Sequence, residues 1–142
     1  MSTRNSGGIG SMRKSRLFTA LVAAALLMAG CSSSGSATPK LGIEEFAAKA
    51  AEPGVVLLDV RTPMEFEEGH LENAINIDFQ SGTFEEEISK LDKETTYAVY
   101  CRSGNRSGQA VEVMAGLGFT NIYDMDGGVI DWAAAGKALY TN

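Results

Sequence analysis

The chain has 142 residues, a length that suits one domain, and its hydrophobic fraction of 44% is ordinary for a globular protein. The formal net charge is −6, but Arg4, Arg13, Lys14 and Arg16 all fall in the first thirty residues, which hold no acid, so the remainder carries −10. That excess repels nucleic acid and anionic lipid surfaces at long range. It excludes a nucleic-acid partner, and an anionic substrate would need a local positive pocket.

The N-terminus reads as an export signal. The basic stretch "MRKSR" precedes "LFTALVAAALLMAG", fourteen mostly apolar residues. That run is short of the roughly 20 that span a bilayer, which sets it apart from an anchor helix. "LMAGC" resembles a bacterial lipoprotein box, with Met28 where leucine is usual. The resemblance implies lipidation of Cys31, removal of residues 1–30 and attachment to a membrane at the cell envelope, outside the cytoplasm. "SSSGSATP" follows as a flexible Ser-rich tether, and the tether is assigned to residues 31–40. A Cys31–Cys101 disulfide is the alternative use of the two cysteines. If Cys31 carries lipid, Cys101 is a free thiol in an exported protein, which points to chemistry.

From residue 41 onward, strands and helices alternate. "GIEEFAAKAA" spaces Ile43, Phe46, Ala47 and Ala50 as a helix face. "VVLLD", residues 55–59, is a short continuous apolar run of the kind buried in a parallel sheet. "TPMEFEEG" is a short helix with Pro63 in its first turn. "AINI" is a second strand, "FEEEISKL" a helix with Phe84, Ile88 and Leu91 on one face, and "TYAVYC" a strand ending at Cys101. Ala110, Val113, Met114 and Leu117 line the next helix. "NIYDM" is a fourth strand, and "GGVIDWAAAG" opens on a Gly-Gly turn into a last helix. This alternation predicts an α/β fold: an open, mostly parallel sheet with helices on both faces. Ligands bind such sheets beyond the carboxyl ends of the strands, where Cys101 falls.

"CRSGNRSGQA" is therefore a strand-to-helix loop headed by a thiol. Gly104 permits a backbone conformation closed to other residues, and the following helix start offers unpaired N–H groups. Such a loop can turn successive N–H groups inward around an anion. With the helix dipole, Arg102 and Arg106, it should favour the thiolate of Cys101 and supply the positive pocket that an acidic domain needs. Ser103 and Ser107 are read either as donors to a bound anion or as loop and cap residues. Asn105 completes the loop. Only four residues separate Cys101 from Arg106, and Ser107 stands where the Cys-x5-Arg loop of cysteine phosphatases has its arginine.

The loop resembles the Cys-x-x-Gly-x-Arg active loop of the rhodanese family, the thiosulfate sulfurtransferases. "LLDVRTPMEFEEGHLENAINI" is similar to the family's first signature and "GGVIDW" to its C-terminal one. Asn73 departs from the glycine usual before the alanine, a change expected to alter a turn rather than the chemistry. The resemblance implies a rhodanese-like domain at 41–142. It implies that Cys101 takes a sulfane sulfur from thiosulfate or a similar donor as a persulfide, with Arg102, Ser103, Gly104, Asn105, Arg106 and Ser107 binding the substrate. Cyanide or a thiol then accepts the sulfur. Small-molecule donor and acceptor, a lipid anchor and a monomeric domain are the implied partners. The alternatives are a non-catalytic rhodanese-like binding module and a thiol redox relay. Arg61–Glu65 pairing is the preferred partition of the charges after the first strand. His70, the sole histidine, is expected to be structural, and Trp132 to pack in the core near the active loop. No His, Cys, Asp and Glu cluster has metal-site spacing, and no cofactor is implied.

Overall fold

Three runs of mostly apolar residues, rich in β-branched and aromatic side chains, meet side by side in the centre of the sheet. The computed structural model describes residues 37–142, so the export signal at 1–30, Cys31 and the tether through residue 36 lie outside the described residues. The order of elements is β1 (Lys40–Leu41), α1 (Ile43–Ala50), β2 (Val55–Asp59), α2 (Pro63–Glu68), β3 (Ile75–Asn76), α3 (Phe84–Ile88), β4 (Thr96–Tyr100), α4 (Asn105–Gly116), β5 (Ile122–Met125) and α5 (Gly128–Ala134). The sheet runs β1-β5-β4-β2-β3, and every strand pair is parallel.

The expected elements are present, and the sheet is parallel throughout rather than mostly. The difference lies at the N-terminal boundary. Lys40, read as the end of the tether, pairs with Asp124 in an edge strand, and the Asp124 N–H donates to Pro39 O at 2.9 Å. Two residues carry no periodicity, so a strand this short leaves no pattern to read.

Both faces of the sheet are covered. Phe84 and Ile88 of α3 and Ala110, Val111 and Met114 of α4 pack with Leu58, Tyr97 and Val99 on one side. Phe46 of α1 and Val129 of α5 pack with Ala98, Tyr100 and Met125 on the other, with Trp132 partly buried against them. Alternate residues of β4 thus feed opposite cores, as the period of a strand requires. β4 is the central strand. The chain reaches β3 on one side of β2, then crosses to β4 on the other, so the switch in direction falls between β2 and β4. Asp59 and Tyr100 are register partners there, and the loops that follow them emerge next to each other.

Candidate active site

β4 delivers Cys101 to this switch point. The cysteine is buried and free; Cys31, the other end of the alternative bridge, lies outside the described residues. Gly104 adopts φ +94°, a left-handed conformation that favours glycine, and its N–H donates to Cys101 Sγ at 3.1 Å. α4 then starts without a side-chain cap. Its free N–H groups stay near the loop, where the helix adds partial positive charge.

The loop is held from outside by α5. Val129 N–H donates to Cys101 O at 3.0 Å, and Ile130 N–H donates to Arg102 O at 3.1 Å. Gly128, at φ +61°, allows this approach: a Cβ there would lie 2.5 Å from the Arg102 carbonyl carbon. The Gly-Gly turn is therefore a clamp on the active loop as well as the start of a helix, a role its sequence did not reveal.

Arg106 does not wave free in the mouth. Its guanidinium makes two bonds to Glu65, at 2.7 and 2.8 Å, in the fork geometry that suits a carboxylate. Glu65 also accepts from the Thr62 N–H and hydroxyl in a capping box at the start of α2. The Arg106 hydrogen bonds hold the Glu65 carboxyl down at about 2, from an ordinary 4.5. Arg106 thus ties the cysteine loop to α2.

The expected Arg61–Glu65 pairing is replaced. Arg61 closes on Asp59, with Nε at 3.0 Å from both carboxylate oxygens and Nη2 at 2.6 Å, and it also donates to Gly69 O at 2.7 Å. The reason is geometric. Arg61 precedes the Thr62 cap, so it lacks the helical spacing that would bring it onto Glu65, while Asp59 at the strand end is buried and requires a cation. His70 is structural, as expected. Its Nδ1 lies 2.8 Å from Phe66 O, its ring stacks on Phe66, and its backbone pairs with Tyr140. Trp132 is half-buried, edge-on to Phe46, and donates to Ala138 O, so it packs on α1 rather than deep in the core.

Of the loop residues assigned to substrate, Arg102, Ser103 and Asn105 are exposed and Gly104 is buried. Neither the Arg102 nor the Ser103 side chain has a hydrogen-bond partner among the described residues, leaving the Arg102 charge free at the mouth. Ser107 is fully buried in the first turn of α4 and faces Asp124 of β5. Asp124 was missed by sequence reasoning, since an acid within a strand gives no sign of which face it takes.

The Rhodanese-like domain family model matches residues 43–135, and the chain belongs to that family. A rhodanese-related protein from Thermoplasma volcanium is 32% identical, with a TM-score of 0.66 over 73% of this chain and 99% of that one. A rhodanese-like domain protein from Staphylococcus aureus is 25% identical, with a TM-score of 0.62 over 74% of this chain and 99% of that one. A protein named tRNA uridine(34) hydroxylase from Yersinia pestis (strain Pestoides F) is 36% identical over 92 residues, 61% of this chain and 25% of that protein. The chain therefore spans about a quarter of the length of this curated relative.

Proposed function

We propose that this domain is a sulfurtransferase that carries sulfur as a persulfide on Cys101. The observation that supports the reading most directly is the Gly104 N–H aimed at the free Cys101 sulfur, within a loop whose backbone is clamped by α5. The Cys101 thiolate attacks the outer sulfur of thiosulfate. The S–S bond of the donor breaks, and sulfite leaves with the electron pair. The persulfide anion on Cys101 takes the place of the thiolate, held by loop N–H groups. Cyanide or a thiolate attacks the terminal sulfur, forms thiocyanate or a new persulfide, and returns the Cys101 thiolate. Two displacements through a covalent intermediate give ping-pong kinetics.

The side chains divide the work. Arg102, exposed and unpaired among the described residues, draws the dianion to an acidic domain. Arg106 keeps the loop in shape through Glu65, and its charge stays near the sulfur. Ser103 and Asn105 line the rim, and Ser107 supports the start of α4 from behind. The curated relative's name speaks of tRNA, but the match spans a quarter of that protein. With net −10 after residue 30, the reading here is a small sulfane donor rather than a polyanion. Lipid on Cys31 would hold the domain at the cell envelope. In that case Cys31→Ala moves the protein from membrane to soluble fractions.

The test is the covalent intermediate. Reduced full-length protein in detergent is incubated with thiosulfate, freed of excess and analysed by intact and peptide mass spectrometry. The expected result is one added sulfur atom on the peptide that contains Cys101, removed by cyanide with release of equimolar thiocyanate. Cys101→Ser should fold and lose turnover by at least about a thousandfold. A folded wild-type protein that takes up no sulfur from thiosulfate or other sulfane donors would favour a binding module. Faster hydrolysis of an aryl phosphate than sulfur transfer would overturn the assignment.

A further inference from the structure

Beside the cysteine loop, α2 and α5 form the walls of a groove of about 310 Å³. That volume is at the small end for ligand sites and suits a small molecule rather than a macromolecule. Both walls lead away from the loop. On α5, Ile130 adjoins the loop, since its N–H donates to Arg102 O, and Ala133 follows about one turn on. On α2, Glu65 adjoins the loop through its bonds to Arg106, and Glu68 follows about one turn on, at the end of the helix. Leu139 closes the far end against Gly69, where a Cβ would lie 3.3 Å from Leu139 Cβ.

Of the charged side chains that line the groove, Arg61 is engaged by Asp59 and the Gly69 carbonyl, and Glu65 by Arg106. Arg102 and Glu68 are exposed, and neither side chain is paired among the described residues. The groove thus carries a free positive charge where it meets Cys101 and a free negative charge at its far end. Between them the wall is apolar. Ile130 and Leu139 are 48% and 36% exposed, among the few large apolar side chains left in solvent. Apolar surface kept open beside a reactive group, between fixed charges of opposite sign, is the make-up of a binding site.

We infer that this groove selects the sulfur acceptor, and that the acceptor is an aminoalkyl thiol: a thiolate at one end, a short hydrocarbon chain, and an ammonium at the other. The inference rests on the sulfurtransferase reading above. The thiol gives its proton to solvent, and Arg102 attracts the thiolate that results. The chain lies on Ile130 and Leu139, and the ammonium reaches Glu68. The thiolate attacks the terminal sulfur of the Cys101 persulfide. A new S–S bond forms, the old one breaks, and Cys101 departs with the electron pair as its thiolate. The product is the aminoalkyl persulfide. A carboxylate in place of the ammonium would meet Glu68, on a domain that carries −10 after residue 30, and be repelled. Glu68 is a specificity residue for the second displacement and takes no part in the first.

Full-length protein in detergent is loaded with thiosulfate, freed of excess and mixed with acceptor at low salt. Loss of the added sulfur is timed by quenched-flow intact mass spectrometry. The acceptors are cysteamine, 2-mercaptoethanol and 3-mercaptopropionate, which share a short chain and differ in end charge. Cyanide is the reference, since it makes no use of the groove. Per thiolate, cysteamine should react fastest and 3-mercaptopropionate slowest. Glu68→Gln should cut the ratio of those two rates at least about threefold, the scale of one exposed charge pair. Glu68→Lys should cut it further, with cyanide rates unchanged in both variants. Comparison with wild type cancels the unequal acidity of the thiols, and added salt should shrink the wild-type ratio. A ratio equal in all three proteins would overturn the inference, as would a wild type that prefers 3-mercaptopropionate. In either case the persulfide and its reaction with cyanide leave the sulfurtransferase reading standing. Failure of the persulfide to form would remove both.

Discussion

Two loops leave the carboxyl ends of neighbouring strands, and they are built in opposite ways. β2 and β4 are five residues each and pair without a break from Val55–Thr96 to Asp59–Tyr100. After β2 the polar groups close on one another. Asp59 takes Arg61, Thr62 and Glu65 cap α2, and the Asn76 amide seals the Asp59 and Arg61 carbonyls. After β4 no side chain caps the helix, the turning residue is a left-handed glycine, and its N–H is given to a sulfur. A loop whose donors are consumed by its own side chains is a scaffold. In the proposed function the second loop receives an anion, so it must keep its donors unspent and take its rigidity from elsewhere. Here it comes from the α5 clamp and from Arg106 on Glu65.

The sharpest way to break this contrast is Arg61→Ala. Arg61 is 5% exposed and Asp59 is fully buried, so the variant strands a carboxylate at a strand end. Removing one partner of a buried pair costs about 3–5 kcal/mol. Urea unfolding should show that loss, while sulfur transfer per folded molecule holds near wild type at low temperature. A variant of normal stability with lost transfer would mean that Arg61 meets the donor and that the first loop is not scaffold alone.

Glu65→Gln probes the strap between the loops, with a smaller effect. Losing a charged, forked hydrogen bond should cost about 1–2 kcal/mol. The pH dependence has a definite sign. The folded protein lowers the Glu65 carboxyl from 4.5 to about 2, so the stabilisation is fully present above 4.5 and fades as the pH falls toward 2. The stability gap between wild type and Glu65→Gln should narrow across that window. A gap that stays constant down to the bottom of the window would show that the strap does not carry the difference. The chemistry should suffer with it: a slack Arg106 lowers the rate of persulfide formation more than it raises KM, because the loop N–H groups lose their aim.

What the sequence made legible follows from how far each interaction reaches along the chain. β2 and β4 announce themselves, since apolar runs mark buried parallel strands, and the Cys101 loop announces itself by glycine, arginine and a lone thiol within six residues. Arg106–Glu65 spans 41 positions and is invisible to any local pattern. Charges near a strand end must be paired, but the sequence does not say with which neighbour: an Arg61–Glu65 pair would need a four-residue spacing inside a helix, and the helix starts after Arg61. Ser107 reads locally as an anion donor or a cap, and Asp124 gives no sign of which face of its strand it takes. Only the packing of α4 over β5 brings the two together in a buried place.

The smallest effect concerns a second left-handed residue, which sets the requirements at Gly104 in relief. Asn73 has φ +62° and is exposed, in a turn closed by the Ala74 N–H on Leu71 O at 3.1 Å. Asparagine tolerates this conformation better than most residues, but glycine adopts it at no steric cost. The family's usual glycine at this place thus answers a backbone need that Asn73 meets with slight strain. At Gly104 the same conformation also aims an N–H at sulfur. Asn73→Gly should therefore raise stability by about 0.5 kcal/mol, the relief of strain being offset in part by the freer unfolded chain. Sulfur transfer should stay at wild-type level, because the turn faces solvent. A change in transfer rate with Asn73→Gly would show that the β2 side of the sheet is mechanically coupled to the cysteine loop, and the division between scaffold and receiving loop would have to be redrawn.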